Sequence, residues 1–152
     1  MSLGGGGGGG AMQQIQEQMQ ALEQEKQAIQ NEIQELRTEQ SEIDEAIEAI
    51  ETLETGSTVQ VPLGGDAYVR AEIQDIDEVV VTLGGGYAAE RDSDGAIDSL
   101  KHKKDTLDDR IEELEAEIET VEEQTEDLEA KAKQAQQQQM QQMQQMQQQD
   151  DE

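Results

Sequence analysis

The chain has 152 residues, a net charge of −27 and only two aromatic residues, Tyr68 and Tyr87. With 33% apolar content this excludes a large globular core, and no apolar run is long enough to span a bilayer. The absence of cysteine excludes disulfides and thiol chemistry, and the acidic surplus leaves no basic stripe of the kind that displaces counterions from nucleic acid.

Residues 1–11 form a leader that contains seven consecutive glycines, 4–10, and is expected to be flexible with no preferred structure. The start carries no positively charged, apolar signal segment, so a cytosolic chain is expected.

Residues 12–54 read as a coiled-coil arm. Apolar residues recur at alternating steps of four and three. The d positions are Ile15, Leu22, Ile29, Leu36, Ile43 and Ile50, and the softer a positions are Met12, Met19, Lys26, Ile33, Gln40 and Ile47. Twelve acids against two bases give this arm a charge of −10.

Residues 55–91 read as two β-hairpins. In the first, Val59–Leu63 turns at Gly64-Gly65-Asp66 and returns through Ala67–Ile73. In the second, Val79–Leu83 turns at Gly84-Gly85-Gly86 and returns through Tyr87–Arg91. Pro62 has no N–H to give a ladder and belongs on an edge or at a bulge. Thirty-seven residues in two hairpins bury too little surface to stand alone, and their open edges invite pairing with other chains. Oligomerisation through Val59, Val61, Leu63, Tyr68, Val69, Val79, Val81, Leu83 and Tyr87 resolves both problems. The alternative is a small β cap seated on its own coiled coil.

Residues 92–135 repeat the heptad pattern. The a positions are Ile97, Lys104, Ile111, Ile118, Thr125 and Ala132; the d positions are Leu100, Leu107, Leu114, Val121, Leu128 and Ala135. Sixteen acids against six bases between 92 and 133 again give −10. Asp94 or Ser93 is expected to cap this helix. Residues 136–152 form a Gln/Met-rich acidic tail, either helical or disordered, with Met140, Met143 and Met146 spaced by three.

The two arms match. When facing residue numbers total 147, every a of one arm meets a d of the other, as an antiparallel pair requires. Each seam runs 39 residues, about 58 Å at 1.5 Å per residue. The expected fold is therefore mainly α with a small β insert: an antiparallel two-helix coiled-coil hairpin with two β-hairpins at the bend. Ile and Leu dominate the seam near the bend. Toward the free ends Leu22 meets Thr125 and Ile15 meets Ala132, which predicts a tight bend and frayed tips.

Catalytic motifs do not appear. His102 is the lone histidine, within Lys101-His102-Lys103-Lys104, and has no Cys or second His with which to bind zinc. Gly84-Gly85-Gly86 lacks the Lys-Ser/Thr of a phosphate loop. Asp92-Ser93-Asp94-Gly95 resembles part of a calcium loop, but places Lys101 where a bidentate Glu is needed. No enzyme, cofactor or metal is expected. With six Lys, no Phe or Trp and charge spread over both arms, the chain reads as adapted to a very salty cytosol, where molar salt shortens screening to about 3 Å.

The segments Val61-Pro62-Leu63-Gly64-Gly65-Asp66-Ala67-Tyr68-Val69 and Gly84-Gly85-Gly86-Tyr87-Ala88-Ala89-Glu90-Arg91, the latter followed by Ala96-Ile97, resemble the hairpins of archaeal prefoldin alpha subunits. The resemblance covers about residues 12–135; the leader and the tail lie outside it. It implies a hexamer of two alpha and four beta-type subunits in which the hairpins form a double β barrel and six coiled coils project from it. It also implies an ATP-independent holdase that takes non-native polypeptides at the coiled-coil tips and hands them to a group II chaperonin. Met12, Ile15, Met19, Leu128, Ala132, Ala135, Met140 and Met143 are the expected client-binding residues, with no role for nucleic acid or membrane. The rival expectation is a structural coiled-coil scaffold that binds one specific partner.

Overall fold

The computed structural model describes residues 6–150. Its elements are α1 (Gly6–Thr52), β1 (Thr58–Gly64), β2 (Ala67–Glu72), β3 (Val79–Gly84), β4 (Tyr87–Arg91) and α2 (Ser93–Asp150). They form two compact units. One comprises residues 34–111; the other joins the described residues up to Ile33 to those from Glu112 onward.

Both helices are rich in Glu, Gln, Ala and Leu, which lose little freedom in a helix, and their apolar stripe drives pairing. Within each unit α1 and α2 pair antiparallel. Every a and d residue from Met12 to Ile50 and from Ile97 to Ala135 is buried or half-buried. Between 12 and 50 only Ala46 is shielded in addition. The expected register therefore holds at the level of single residues.

The depth of burial departs from expectation. Ile29, Ile33, Leu114 and Val121 are buried in the unit that holds both helix ends away from the bend in the sequence (called the outer unit), and Ile43 and Ile111 in the unit that holds the hairpins (called the root unit). Ile47, Ile50, Ile97 and Leu100, expected to be tightest, are half-buried. Residue type sets how much apolar surface a seam offers, but neighbours decide how much is covered. Beside Ile50 and Leu100 a groove of about 370 Å³, bordered by Ala46, Val80 and Lys103, stays open.

The helix ends also differ. α1 begins at Gly6, so Gly6–Gly10 continue the helix rather than forming a leader without structure; Gly4 and Gly5 lie outside the described residues. Extension of an existing helix needs no new nucleus, but the glycine penalty of about 1 kcal/mol per residue relative to Ala makes this turn the least stable part of α1. At the other end α2 continues through the Gln/Met tail to Asp150. The cap of α2 is Asp92 rather than Asp94 or Ser93. Its carboxylate accepts the Gly95 N–H at 2.7 Å, and its carbonyl accepts the Ala96 N–H at 2.8 Å. These are the bonds of an N-cap residue. Ser93 instead donates its hydroxyl to Asp77 at 3.1 Å and its N–H at 3.4 Å, tying the helix start to the β2–β3 linker.

The two hairpins share one design, offset by twenty residues. In β1–β2 the register is regular from Thr58↔Glu72 to Pro62↔Tyr68, then slips so that Gly64 meets Ala67. In β3–β4 it is regular from Val79↔Arg91 to Thr82↔Ala88, then slips so that Gly84 meets Tyr87. Leu63 and Leu83 are thus the bulged residues, and Pro62 lies beside its bulge as expected. Each turn needs three successive positive φ values: 97°, 58° and 63° at Gly64, Gly65 and Asp66, and 91°, 62° and 82° at Gly84, Gly85 and Gly86. Glycine adopts these without a Cβ penalty, and Asp is among the few other residues that tolerate them. The strands form two separate two-stranded sheets.

Candidate functional site

The insert presents two unlike hairpins. No residue of β1 or β2 is buried: Val59 is half-buried, whereas Val61, Leu63, Tyr68 and Val69 are 41%, 68%, 59% and 46% exposed. β3 instead lies against the helices of its unit. Val81 is only 4% exposed, Val79 is half-buried, and Lys103 donates to the Thr82 carbonyl at 2.9 Å. Among the residues expected to meet other chains, Val81 is therefore taken up within its own chain. Leu83 and Tyr87, at 49% and 76%, remain accessible. Sequence reasoning missed Val80, 67% exposed on the opposite face of β3. Strand alternation names two faces but does not say which one the helices cover.

Polar residues occupy four a positions: Thr125 bonds back to its own helix, donating to the Val121 carbonyl at 2.9 Å, and the other three are anchored across the pair. Lys26 Nζ lies 3.2 Å from Glu122 Oε1. Gln40 Nε2 donates to Asp108 Oδ1 at 2.6 Å and to the Lys104 carbonyl at 3.2 Å. Lys104 Nζ donates to both Asp44 oxygens, at 2.8 and 3.0 Å. In each of these three the acceptor carboxylate is the e residue that follows the facing d, so the paired numbers total 148. The bond to Asp44, with the charges of Asp44, Asp108 and Asp105, outweighs desolvation and raises the pKa of Lys104. No buried side-chain polar atom lacks a partner among the described residues.

The outer unit carries the residues expected to bind clients. Met12, Ile15, Met19, Leu128, Ala132 and Ala135 are half-buried seam residues, while Met140 and Met143 are exposed on α2, as is Met146. A groove of about 420 Å³ opens on one flank of this unit. From α1 it takes Gln18, Ala21, Leu22 and Glu25; from α2 it takes Gln124, Asp127, Leu128 and Lys131. Both sets follow the spacing i, i+3, i+4, i+7 and occupy the same heptad positions, g, c, d and g. Leu128 is one of the residues expected to bind clients; Ala21 and Leu22 are not, and the weak layer of Leu22 with Thr125 was expected to fray rather than to open a groove.

Among the described residues no helix is long and apolar enough to cross a membrane, and no three His, Asp or Glu side chains are placed to hold a metal. The site is a set of apolar surfaces on a charged frame, suited to binding polypeptide.

Comparison with known proteins identifies the family. The prefoldin subunit family matches residues 22–149, a span that takes in most of the Gln/Met tail left outside the pattern by sequence reading. The prefoldin alpha subunit of Haloarcula marismortui is 67% identical over 106 residues, covering 70% of this chain and 69% of that protein. The alpha subunit of Halobacterium salinarum is 61% identical over 114 residues, covering 75% and 73%. A filamentous prefoldin of Methanocaldococcus jannaschii superposes with a TM-score of 0.53 at 28% identity, over 79% of this chain and 96% of that one. The chain belongs to the prefoldin family, among the alpha subunits of salt-adapted archaea.

Proposed function

We propose that this chain is the alpha-type subunit of an ATP-independent cytosolic holdase. It binds non-native polypeptides at the far ends of its paired helices and hands them to a group II chaperonin. The observation that carries this is exposed apolar surface at the ends of the helix pair: Met140, Met143 and Met146 are 67%, 71% and 71% exposed. Methionine is flexible and polarisable and suits varied apolar partners. Weak contacts from several arms add through effective concentration, so holding is compatible with release.

The exposed hairpin residues Val61, Leu63, Tyr68, Val69, Val80, Leu83 and Tyr87 support assembly with beta-type subunits, in a hexamer of two alpha and four beta. Unpaired strand edges and apolar faces of this kind are otherwise aggregation sites. The test is light scattering of two unrelated unfolded proteins diluted into molar potassium chloride, with and without the chain assembled with its beta-type partner. Suppression of both without ATP is expected, and loss of suppression when 1–20 and 130–152 are deleted from an intact assembly. Failure to suppress either client, with the assembly intact, favours a scaffold for one specific partner.

A further inference from the structure

We propose that the flank groove of the outer unit is a preformed receptor for client segments in which an apolar side chain is flanked by Lys or Arg. The groove gives the holdase proposed above its preferred substrate class, and this assignment rests on that activity.

The two flanks of the outer unit differ. On one flank the Lys26–Glu122 ion pair spans the two helices at 3.2 Å. On the other, the g positions face each other as Gln18 with Lys131 and Glu25 with Gln124, and the groove opens between them. Its apolar floor is Leu22, Leu128 and Ala21. The floor residue Leu22 meets Thr125 in the seam, a smaller partner than Leu or Ile. The Thr125 hydroxyl donates to the Val121 carbonyl of its own helix at 2.9 Å, so it makes no demand on a ligand.

The volume, about 420 Å³, lies in the range of small-ligand sites. The rim decides what enters. Glu25 and Asp127 stand beside the floor, with Lys131 the one basic lining residue. An acidic rim around an apolar floor is complementary to a basic side chain next to an apolar one. Molar salt shortens screening to about 3 Å, so long-range attraction by the −27 chain fades there, and a contact pair beside an apolar surface is weakened less than that steering. Recognition therefore rests mainly on the apolar floor, with the adjoining carboxylates biasing it toward basic neighbours.

The assembled full-length chain is titrated in molar potassium chloride with a fluorescent peptide bearing Leu flanked by Lys, and with a matched peptide bearing Leu flanked by Glu. Ala21→Phe fills the groove from an exposed position without touching the seam. Glu25→Gln with Asp127→Asn removes the acidic rim. The expected results are about tenfold weaker binding of the Lys peptide to A21F, equivalent to ~1.4 kcal/mol, and loss of the Lys-over-Glu preference in the double variant. Circular dichroism confirms that both variants keep their helices. Unchanged binding by A21F, or equal binding of both peptides by the parent chain, overturns the groove assignment. Aggregation suppression by the parent chain is read in parallel, so the holdase function stands or falls separately from the groove.

Discussion

Lys104 occupies a seam position reserved for apolar residues, yet its ammonium donates to both carboxylate oxygens of Asp44 on the opposite helix, at 2.8 and 3.0 Å. Lys26 with Glu122 and Gln40 with Asp108 repeat the relationship at the same offset. A seam of Ile and Leu alone is satisfied in several registers, because each heptad resembles the next. A polar a residue is satisfied only where its e partner stands. Single polar seam residues fix register in this way at a cost in stability. Replacing Lys26, Gln40 and Lys104 together with Leu is expected to raise the melting temperature while admitting slipped pairings. Because the chain has no native cysteine, the substitutions Ile33→Cys and Leu114→Cys report register directly. Near-complete cross-linking is expected in the parent and partial cross-linking in the triple variant.

The same pair sets an alkaline limit. The Asp44 bond raises the pKa of Lys104 in the folded chain. A raised lysine pKa means that the folded state holds the proton more tightly than the unfolded state. The stabilisation is therefore complete below the unfolded value of about 10.4 and is lost as pH climbs through the folded one. Melting curves from pH 8 upward are expected to show a steeper alkaline decline in the parent than in Lys104→Met. Parallel declines would show that the bond contributes nothing in solution.

Leu114 is fully buried, whereas Leu128, two heptads further out, is half-buried. Leu114→Ala is expected to cost about 2–5 kcal/mol, the range for a buried leucine that leaves a cavity. Leu128→Ala removes less buried surface and should cost less. Urea denaturation of the assembled protein measures both, and equal costs would contradict the graded burial.

Gly95 stands where a Cβ would come within 2.7 Å of the Asp92 carboxylate oxygen. That oxygen caps α2. Asp92→Ala is expected to cost about 0.5–2 kcal/mol for a lost cap, and Gly95→Ala less, because Ala is about 1 kcal/mol better than Gly in a helix and offsets part of the loss. The double variant should cost less than the Asp92→Ala variant, since with the carboxylate gone an alanine at this position meets no clash. Additive losses would separate the glycine from the cap.

Val80 and Val81 are neighbours with opposite roles. Val81→Ala removes two buried methyl groups, about 1.5 kcal/mol at ~0.8 kcal/mol each, and should lower thermal stability with assembly retained. Val80→Asp places a charge on the exposed face and should impair assembly while leaving the helix content of the chain intact. Size-exclusion chromatography with multi-angle scattering separates the two outcomes.

Much of this molecule was legible in its sequence because helix and strand periodicities are local and strict. Ile15, Leu22 and Ile29 recur every seven residues, so one stripe is named before any partner is known. The matched layers of the second arm then identify that partner. Likewise, Gly64-Gly65-Asp66 and Gly84-Gly85-Gly86 announce turns, because few other residues take the positive φ such turns require. Burial depth and choice of face were not legible. Ile50 and Ile33 are the same residue type in the same pattern, yet only Ile33 is buried. Val80 and Val81 are identical, yet only Val81 is buried. The cap fell to Asp92 over its neighbours once the chain entered the helix at Ser93. The groove beside Leu22 is lined from two helices distant in sequence. Periodicity determined which residues could face a partner; only three-dimensional packing decided how completely each was covered, because coverage depends on the volumes of all the neighbours at once.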